Sequence, residues 1–506
     1  MKFGSQGSFP ELESALTAFL KVTASDILPN QQIASKDGKI FLLGKNLVPF
    51  VKSLVTIDAQ RAYVTPGGVD SHVHLAQDNS PTGDTFETGT RSAICGGTTT
   101  VLPFASQKRH EESLVPVVEE YHRRANGKAY CDYGFHLILT NPTDKILNEE
   151  LPVLVKDGGI GSVKLYMTYD PMKLSDRQML DVMLATRALG MTTMVHAENA
   201  DIIGWISDQL QKQKITDAFS HALSRPNIAE DEATYRAISL AEVMDVPILI
   251  VHMSSWVAAE HVRKAQTRLL PVHAETCPHY LYLQSDKLKA ENFEGAKGVC
   301  SPPLRDSPTD LDAMWQGLAN GTFTTVSSDH AAHKFDHGRG KKAGLVDGVP
   351  QFRKIPNGLP GLETRLPLLF EGVLDGKISI TKFVELTSVN PAKLYGLADT
   401  KGTIAPGYDA DLTIWYPTSE QNGDGMAECR PFRLANEMLH HDVDYTPFEG
   451  FRFRNWPRYT VLRGKVVWDR DNGGLKGNIG FGQFLKRGRS TLSRPRDVWV
   501  NEFRPI

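Results

Sequence analysis

Three things are scarce in this chain, and each scarcity excludes a class of protein. Cysteine is the first: Cys95, Cys131, Cys277, Cys300 and Cys429 are odd in number, scattered, and never spaced C-x-x-C. Such spacing gives neither a disulfide framework nor a thiolate zinc site, and each thiol reads as buried and inert in a reducing cytoplasm. Charge of one sign is the second. With 56 Lys+Arg against 59 Asp+Glu, the net charge is −3, which leaves no electrostatic footprint for nucleic acid. Long apolar runs are the third. None approaches a membrane span, and Met1-Lys2-Phe3-Gly4-Ser5 leads into polar residues without the apolar core of a signal peptide. The expectation is a cytoplasmic chain with neither a nucleic-acid nor a membrane partner. Nucleotide-binding glycine signatures are missing too. No G-x-G-x-x-G opens the first helix, and the Gly-Arg-Gly-Lys-Lys within Lys334–Lys342 lacks the Walker spacing and its closing Ser/Thr. That segment reads as a solvated loop.

What is present is length and alternation. A chain of 506 residues holds a large core domain with a smaller partner. From about Phe19 to Tyr63, β-branched residues broken by turn signals such as Lys36-Asp37-Gly38-Lys39 predict several short antiparallel strands. From His74 onward, short apolar runs alternate with amphipathic stretches, the pattern of a parallel sheet with crossover helices.

Eight such runs occur: Val69–His74, Thr98–Pro103, Tyr133–Leu139, Ser162–Met167, Thr192–His196, Ile248–His252, Val272–Thr276 and Thr324–Ser328. Between them, the stretch from Asp176 to Leu189 predicts a helix, with Ser175 and Gln178 as a capping box and Gly190 as its stop. Eight alternations predict an α/β fold, a (β/α)8 TIM barrel; an open doubly wound sheet is the alternative. After Asn390-Pro391 strand signals return, in Asp411–Trp415 and in a hairpin over Tyr459–Trp468. The chain therefore divides into 1–65 and 391–472 as two parts of one β-sandwich and 66–390 as the barrel. Residues 473–506 form a tail, either an arm on a neighbouring subunit or a loose end.

Metal-competent residues fall at the ends of five of the eight strands: His72 and His74, then Lys164, His196, His252 and Asp329. His72 and His74 point the same way on a strand, since side chains alternate faces, and so make a bidentate metal site. In a barrel the strand ends converge on one mouth. A lone histidine at a strand end is usually a hydrogen-bonded core residue, and a lone Asp there a helix cap; six together are harder to assign to chance. Lys164 lies inside the apolar run Gly161–Met167, where a protonated amine is costly to bury. Either it snorkels to solvent or it is neutralised, for instance as a carbamate whose two oxygens can bridge two metals.

These residues, together with Pro66–Ser71, Gly96–Thr100, Ala197-Glu198-Asn199 and Ser328-Asp329-His330, resemble the amidohydrolase superfamily. The strings Lys164–Tyr169, Glu275–Leu281, Ser301–Arg305, Ile355–Gly358 and Asp444–Gly450 resemble its dihydropyrimidinase and hydantoinase branch over nearly the whole chain. The resemblance implies a pair of zinc ions. His72 and His74 would hold one ion, His196 and His252 the other, Lys164 as N6-carboxylysine would bridge them, and Asp329 would complete the first site. It further implies a hydroxide between the metals, Asp329 as general base and acid, Tyr169 as oxyanion donor, and Ser301 and Asn357 clamping the ring of a cyclic amide. The product would be an N-carbamoyl amino acid, and the assembly a homotetramer.

Some features depart from that pattern. The loop Leu75–Phe86 is short and polar for a hydantoinase, and Gln77 or Asn79 in it either meets a polar substituent or is solvated. Ala76 stands where dihydroorotases carry Arg; His279, His330 and His333 are not assigned as ligands, and His330 and His333 either line the mouth or are hydrogen-bonded loop histidines. The rival readings are a hydrolase of other cyclic imides or ureides, allantoinase- or imidase-like, and a non-catalytic scaffold of the collapsin-response mediator type.

Overall fold

Apolar runs joined by crossover helices can pair only as parallel neighbours, because each helix must return across one sheet face. The computed structural model describes residues 11–47, 52–59, 62–416 and 429–499, and all eight runs form strands in it. They are Gly68–Val73, Thr98–Ser106, His136–Ile138 (preceded by Asp132–Tyr133), Ser162–Tyr166, Thr192–His196, Ile248–Ile250, Val272–Thr276 and Thr325–Val326. Each pairs in parallel with the next. The seam between the eighth strand and the first is drawn together by a Val73–His330 bridge. Arg365 reinforces it, its Nη1 donating to Val69 O at 3.3 Å and to Val326 O at 2.9 Å. The sheet is thus a nearly closed barrel, and the open doubly wound alternative is excluded.

Local signals hold closely. The helix Asp176–Leu189 carries the Ser175/Gln178 capping box and ends at Gly190 with φ 70°, a left-handed conformation that glycine adopts without steric cost.

Residues from both ends of the chain join in a second, nine-stranded sheet. Its order runs Gly474–Leu475, Lys465–Asp469, Pro457–Leu462, Leu412–Trp415, Tyr63–Pro66, Glu11–Val22, Ile27–Lys36, Lys39–Gly44, with Lys52–Asp58 also on Glu11–Val22. One expectation is corrected here. The N-terminal strands are not all short and antiparallel: Glu11–Val22 spans 12 residues and pairs in parallel with both Lys52–Asp58 and Tyr63–Pro66.

Buried ion pairs fasten this sheet to the barrel floor. Lys401 Nζ lies 2.6 Å from Asp132, 2.8 Å from Asp409 and 2.7 Å from Asp411. The tail is also ordered against its own chain: Tyr133 N donates to Gln483 O at 2.9 Å, Leu485 N to Tyr133 O at 2.7 Å and Arg487 N to Gly159 O at 2.8 Å. All five cysteines are free and buried. No described helix is long and apolar enough to cross a membrane.

Candidate metal centre and active site

The barrel brings all six metal-competent residues to one mouth. His72 lies on the first strand and His74 just beyond it, Lys164 on the fourth, His196 at the end of the fifth, and His252 and Asp329 just past the sixth and eighth. Ring centroids are 5.4 Å apart for His72–His74, 5.3 Å for His72–His252 and 4.4 Å for His196–His252. Lys164 Nζ is 3.3 Å from His72 Nε2. Asp329 Oδ1 is 3.1 Å from His72 Nε2 and 3.4 Å from His74 Nε2. Three residues at the mouth, Tyr169, His252 and Asp329, have φ of 66°, 37° and 45°. Such left-handed backbone is uncommon outside glycine and costs energy, and it gathers at functional sites.

The second nitrogen of each of three histidines is already engaged. His72 Nδ1 is 2.7 Å from Glu275 Oε1, His74 Nδ1 3.0 Å from Gln77 Oε1, and His196 Nε2 2.7 Å from Glu198 Oε2. An imidazole that donates through one nitrogen presents a lone pair on the other. The lone pairs of His72 and His74 Nε2 therefore converge with the Asp329 carboxylate, an arrangement that repels itself unless a cation lies among them. Burial holds His72, His196 and His252 below the usual histidine range, hence neutral and ligand-competent. His252 Nδ1 is buried without a hydrogen-bond partner. The donor set fits divalent metal ions that take nitrogen and oxygen ligands.

Lys164 is fully buried, which overturns the snorkelling alternative. It forms no salt bridge among the described residues and rests over the rings of Phe104 and Tyr166. Burial pulls its amine down to about 8, against the opposing influence of Asp329 and Glu275. Burial likewise pushes the Glu275 carboxyl up to about 8, while Lys164 draws it the other way; positive charge entering the cluster would restore the carboxylate.

Beside the histidines stands Tyr169, its ring 5.5 Å from that of His196. Asn357 Nδ2 donates to Tyr169 Oη at 3.0 Å and lies 3.2 Å from Ser301 Oγ. Burial raises the Tyr169 hydroxyl above its usual range, so it stays protonated and able to donate. All three residues singled out beyond the metal ligands thus meet at one point.

Other expectations shift. Gln77 turns inward onto His74 instead of outward to a substituent, and Asn79 is exposed. His330 Nε2 pairs with Asp84 Oδ2 at 3.0 Å, and His333 Nδ1 lies 3.3 Å from Ser80 Oγ; both are hydrogen-bonded loop histidines. Sequence reasoning missed the partners behind the ligands. Glu275 and Glu198 lie within the motifs Glu275–Leu281 and Ala197-Glu198-Asn199 with no role that residue type reveals, and nothing in the sequence marks Arg225, whose Nη1 donates to Glu198 at 2.8 Å. Only the two-residue offset of Glu198 from His196 was a usable signal. Two further ligand-type clusters are self-satisfied: Asp132, Asp409 and Asp411 enclose Lys401, and near Cys95 the Glu363 carboxylate already accepts from His440 N and Nδ1.

A parallel barrel with His-x-His on its first strand, a buried lysine on its fourth, histidines at the fifth and sixth and an Asp after the eighth defines a metal-dependent hydrolase class. Comparison with known proteins agrees: the Amidohydrolase family matches residues 63–467. A D-hydantoinase of Ralstonia pickettii is 41% identical over 469 residues, 92% of this chain and 97% of that one. A solved D-hydantoinase structure superposes with a TM-score of 0.87 at 40% identity, covering 95% of this chain and 100% of the other. The dihydropyrimidinase of Brevibacillus agri superposes equally well, TM-score 0.87 at 37% identity over 94% and 99% of the two chains. The chain belongs to the amidohydrolase family. Within it, this is an enzyme of the hydantoinase and dihydropyrimidinase branch, the cyclic-amide hydrolases.

Proposed function

We propose that this enzyme opens the ring of dihydropyrimidines or 5-substituted hydantoins to N-carbamoyl amino acids, with two zinc ions held by His72, His74, Lys164, His196, His252 and Asp329. One observation carries the reading: a lysine amine buried without a carboxylate partner, 3.3 Å from an imidazole nitrogen, amid converging electron-pair donors. A neutral amine in that setting reacts with carbon dioxide to give a carbamate and a proton, and Lys164 as N6-carboxylysine would offer its two oxygens to the metal ions. The bound ions would supply a lowered pKa for water and polarisation of the scissile carbonyl.

The chain's own residues do the rest. Asp329 accepts the proton of the attacking water and returns it to the departing ring nitrogen. Tyr169 Oη already accepts from Asn357 Nδ2, which leaves its own proton directed at the oxyanion that develops on the carbonyl oxygen. Backbone groups at Ser301 and Asn357 grip the amide edges of the ring. Glu275, Gln77 and Glu198 hold three ligand imidazoles in the tautomer the metals need. A homotetramer is the assembly consistent with this branch.

The test is a hydrolysis panel on metal-replete protein: dihydrouracil, dihydrothymine, aryl-substituted hydantoins, allantoin and simple imides, with metal analysis alongside. About two zinc ions per chain and ring opening of the dihydropyrimidines or hydantoins are expected. Turnover of allantoin or imides alone would replace the substrate assignment. Metal-free protein with no ring opening on any substrate would favour a scaffold.

A further inference from the structure

The segment Lys334–Lys342 reads in the sequence as a solvated loop, and at Gly340 and Lys341 the structure contradicts it. Lys341 is fully buried, and among the described residues it makes no salt bridge. Instead its Nζ donates to Val299 O at 2.8 Å and to Pro356 O at 2.7 Å. Val299 stands two residues before Ser301, and Pro356 one before Asn357. The two turns also touch directly: Gly358 N donates to Val299 O at 3.1 Å, and Asn357 Nδ2 lies 3.2 Å from Ser301 Oγ. The loop comes close enough only because side chains are missing where it packs. A Cβ on Gly340 would collide with the Lys334 carbonyl, and one on Gly344 with Ile355.

Burying an ammonium without a counter-ion is costly. An apolar side chain of similar length would fill the same space without that cost, so packing alone does not account for a lysine here. The two carbonyls do. We propose that Lys341 is a positioning residue for substrate: it ties the Ser301 and Asn357 turns at a fixed spacing so that both reach the two edges of one ring. The inference rests on the reading that these turns grip the cyclic amide.

The experiment compares Lys341→Met with wild type for KM and kcat on a hydantoin or dihydropyrimidine, and by hydrogen–deuterium exchange. In the variant KM should rise roughly tenfold or more, the scale on which lost positioning is felt, with kcat falling less and metal content unchanged. Exchange should quicken at residues 299–301 and 356–358 but not at the fifth strand, 192–196. Lys341→Arg should recover part of the KM, and Lys342→Ala, a neighbour paired with Asp336 at the surface, should leave it unaltered. If Lys341→Met does not fold, Lys341→Gln, which keeps a donor, should fall between the two. Unchanged KM together with unchanged exchange overturns the proposal. If wild type opens no ring, the proposed function fails, and the exchange comparison still decides whether Lys341 positions the two turns.

Discussion

Two lysines, both withdrawn from solvent, mark the mouth and the floor of this barrel, and their surroundings differ completely. At the mouth Lys164 meets an imidazole nitrogen and two aromatic faces. At the floor Lys401 sits among three carboxylates, each within 2.8 Å. Burial pulls both amines down. Against it, Asp411, Asp132 and Asp409 push Lys401 above the usual lysine range, whereas Lys164 settles at about 8. The number of carboxylates at contact, not depth, decides the direction. A caged ammonium fastens two domains and is chemically inert. An amine held close to neutrality can react, so the same residue type serves structure at one end and chemistry at the other.

The sharpest way to break this contrast is Lys164→Ala. Metal content should collapse and kcat/KM fall by about a thousandfold or more, while thermal stability without metal changes little. A small carboxylic acid supplied with zinc should restore part of the activity. Retained metal and full turnover in this variant would remove the bridging role.

Lys401→Met should do the opposite. Three carboxylates would be left facing one another, and breaking a buried ion pair from one side costs about 3–5 kcal/mol, read from the urea midpoint. Turnover per folded chain should not change. Burial already holds the Asp411 carboxyl above its usual range despite Lys401, so the pH dependence should change sign only in the Asp409 contribution. Burial works against the Asp409 carboxylate, but Lys401 and Lys39 hold its pKa below the usual range. That depressed value stabilises the fold above the unfolded aspartate pKa of about 3.9, and the contribution is lost as pH falls through the folded value. Without Lys401 the crowded carboxylates resist ionisation, so the variant should gain stability as pH falls from 7 towards 5. An unchanged acid profile would mean that the cage carries no net charge coupling.

Tyr169→Phe tests the mouth without touching its metal ligands. Removing one oxyanion donor costs on the order of a hundredfold in kcat; KM and metal content should stay close to wild type. Loss of metal instead would mean that Tyr169 supports the His196 ring it packs against.

What was legible in the sequence was local and periodic. His72 and His74 announce themselves by alternation along one strand, Ser175 and Gln178 by the capping pattern, and the eight strands by spacing. What was illegible depends on distant partners. Glu275 lies 203 residues from the His72 it orients, and nothing in residue type fixes which carboxylate meets which imidazole. Lys341 looked solvated because a Gly-rich basic segment usually is, and only the two close-packed glycines and the carbonyls of Val299 and Pro356 explain its burial. The parallel entry of Tyr63–Pro66 beside Glu11–Val22 was lost for the same reason: strand propensity carries no direction. For Gln77 a polar loop position next to a mouth suggests either a substrate contact or solvation, and residue type alone does not point to the His74 ring it meets.

Gln77 supplies the mildest test. Its amide oxygen accepts from His74 Nδ1 at 3.0 Å, and its own amide reaches Phe104 O at 3.4 Å, so the side chain is fixed at both ends. Replacing it by Leu keeps the volume, removes the acceptor, and frees the His74 ring to rotate or change tautomer. Losing such a partner costs about tenfold to a hundredfold in metal affinity. Because a neutral amide raises ligand basicity less than a carboxylate does, Gln77→Leu should fall at the lower end of that range and Glu275→Leu at the upper. Competition with a chelator, read as the metal bound per chain, separates the two. Gln77→Glu should hold metal at least as firmly as wild type; weaker binding there would show that Gln77 serves the loop Leu75–Phe86 and not the histidine behind it.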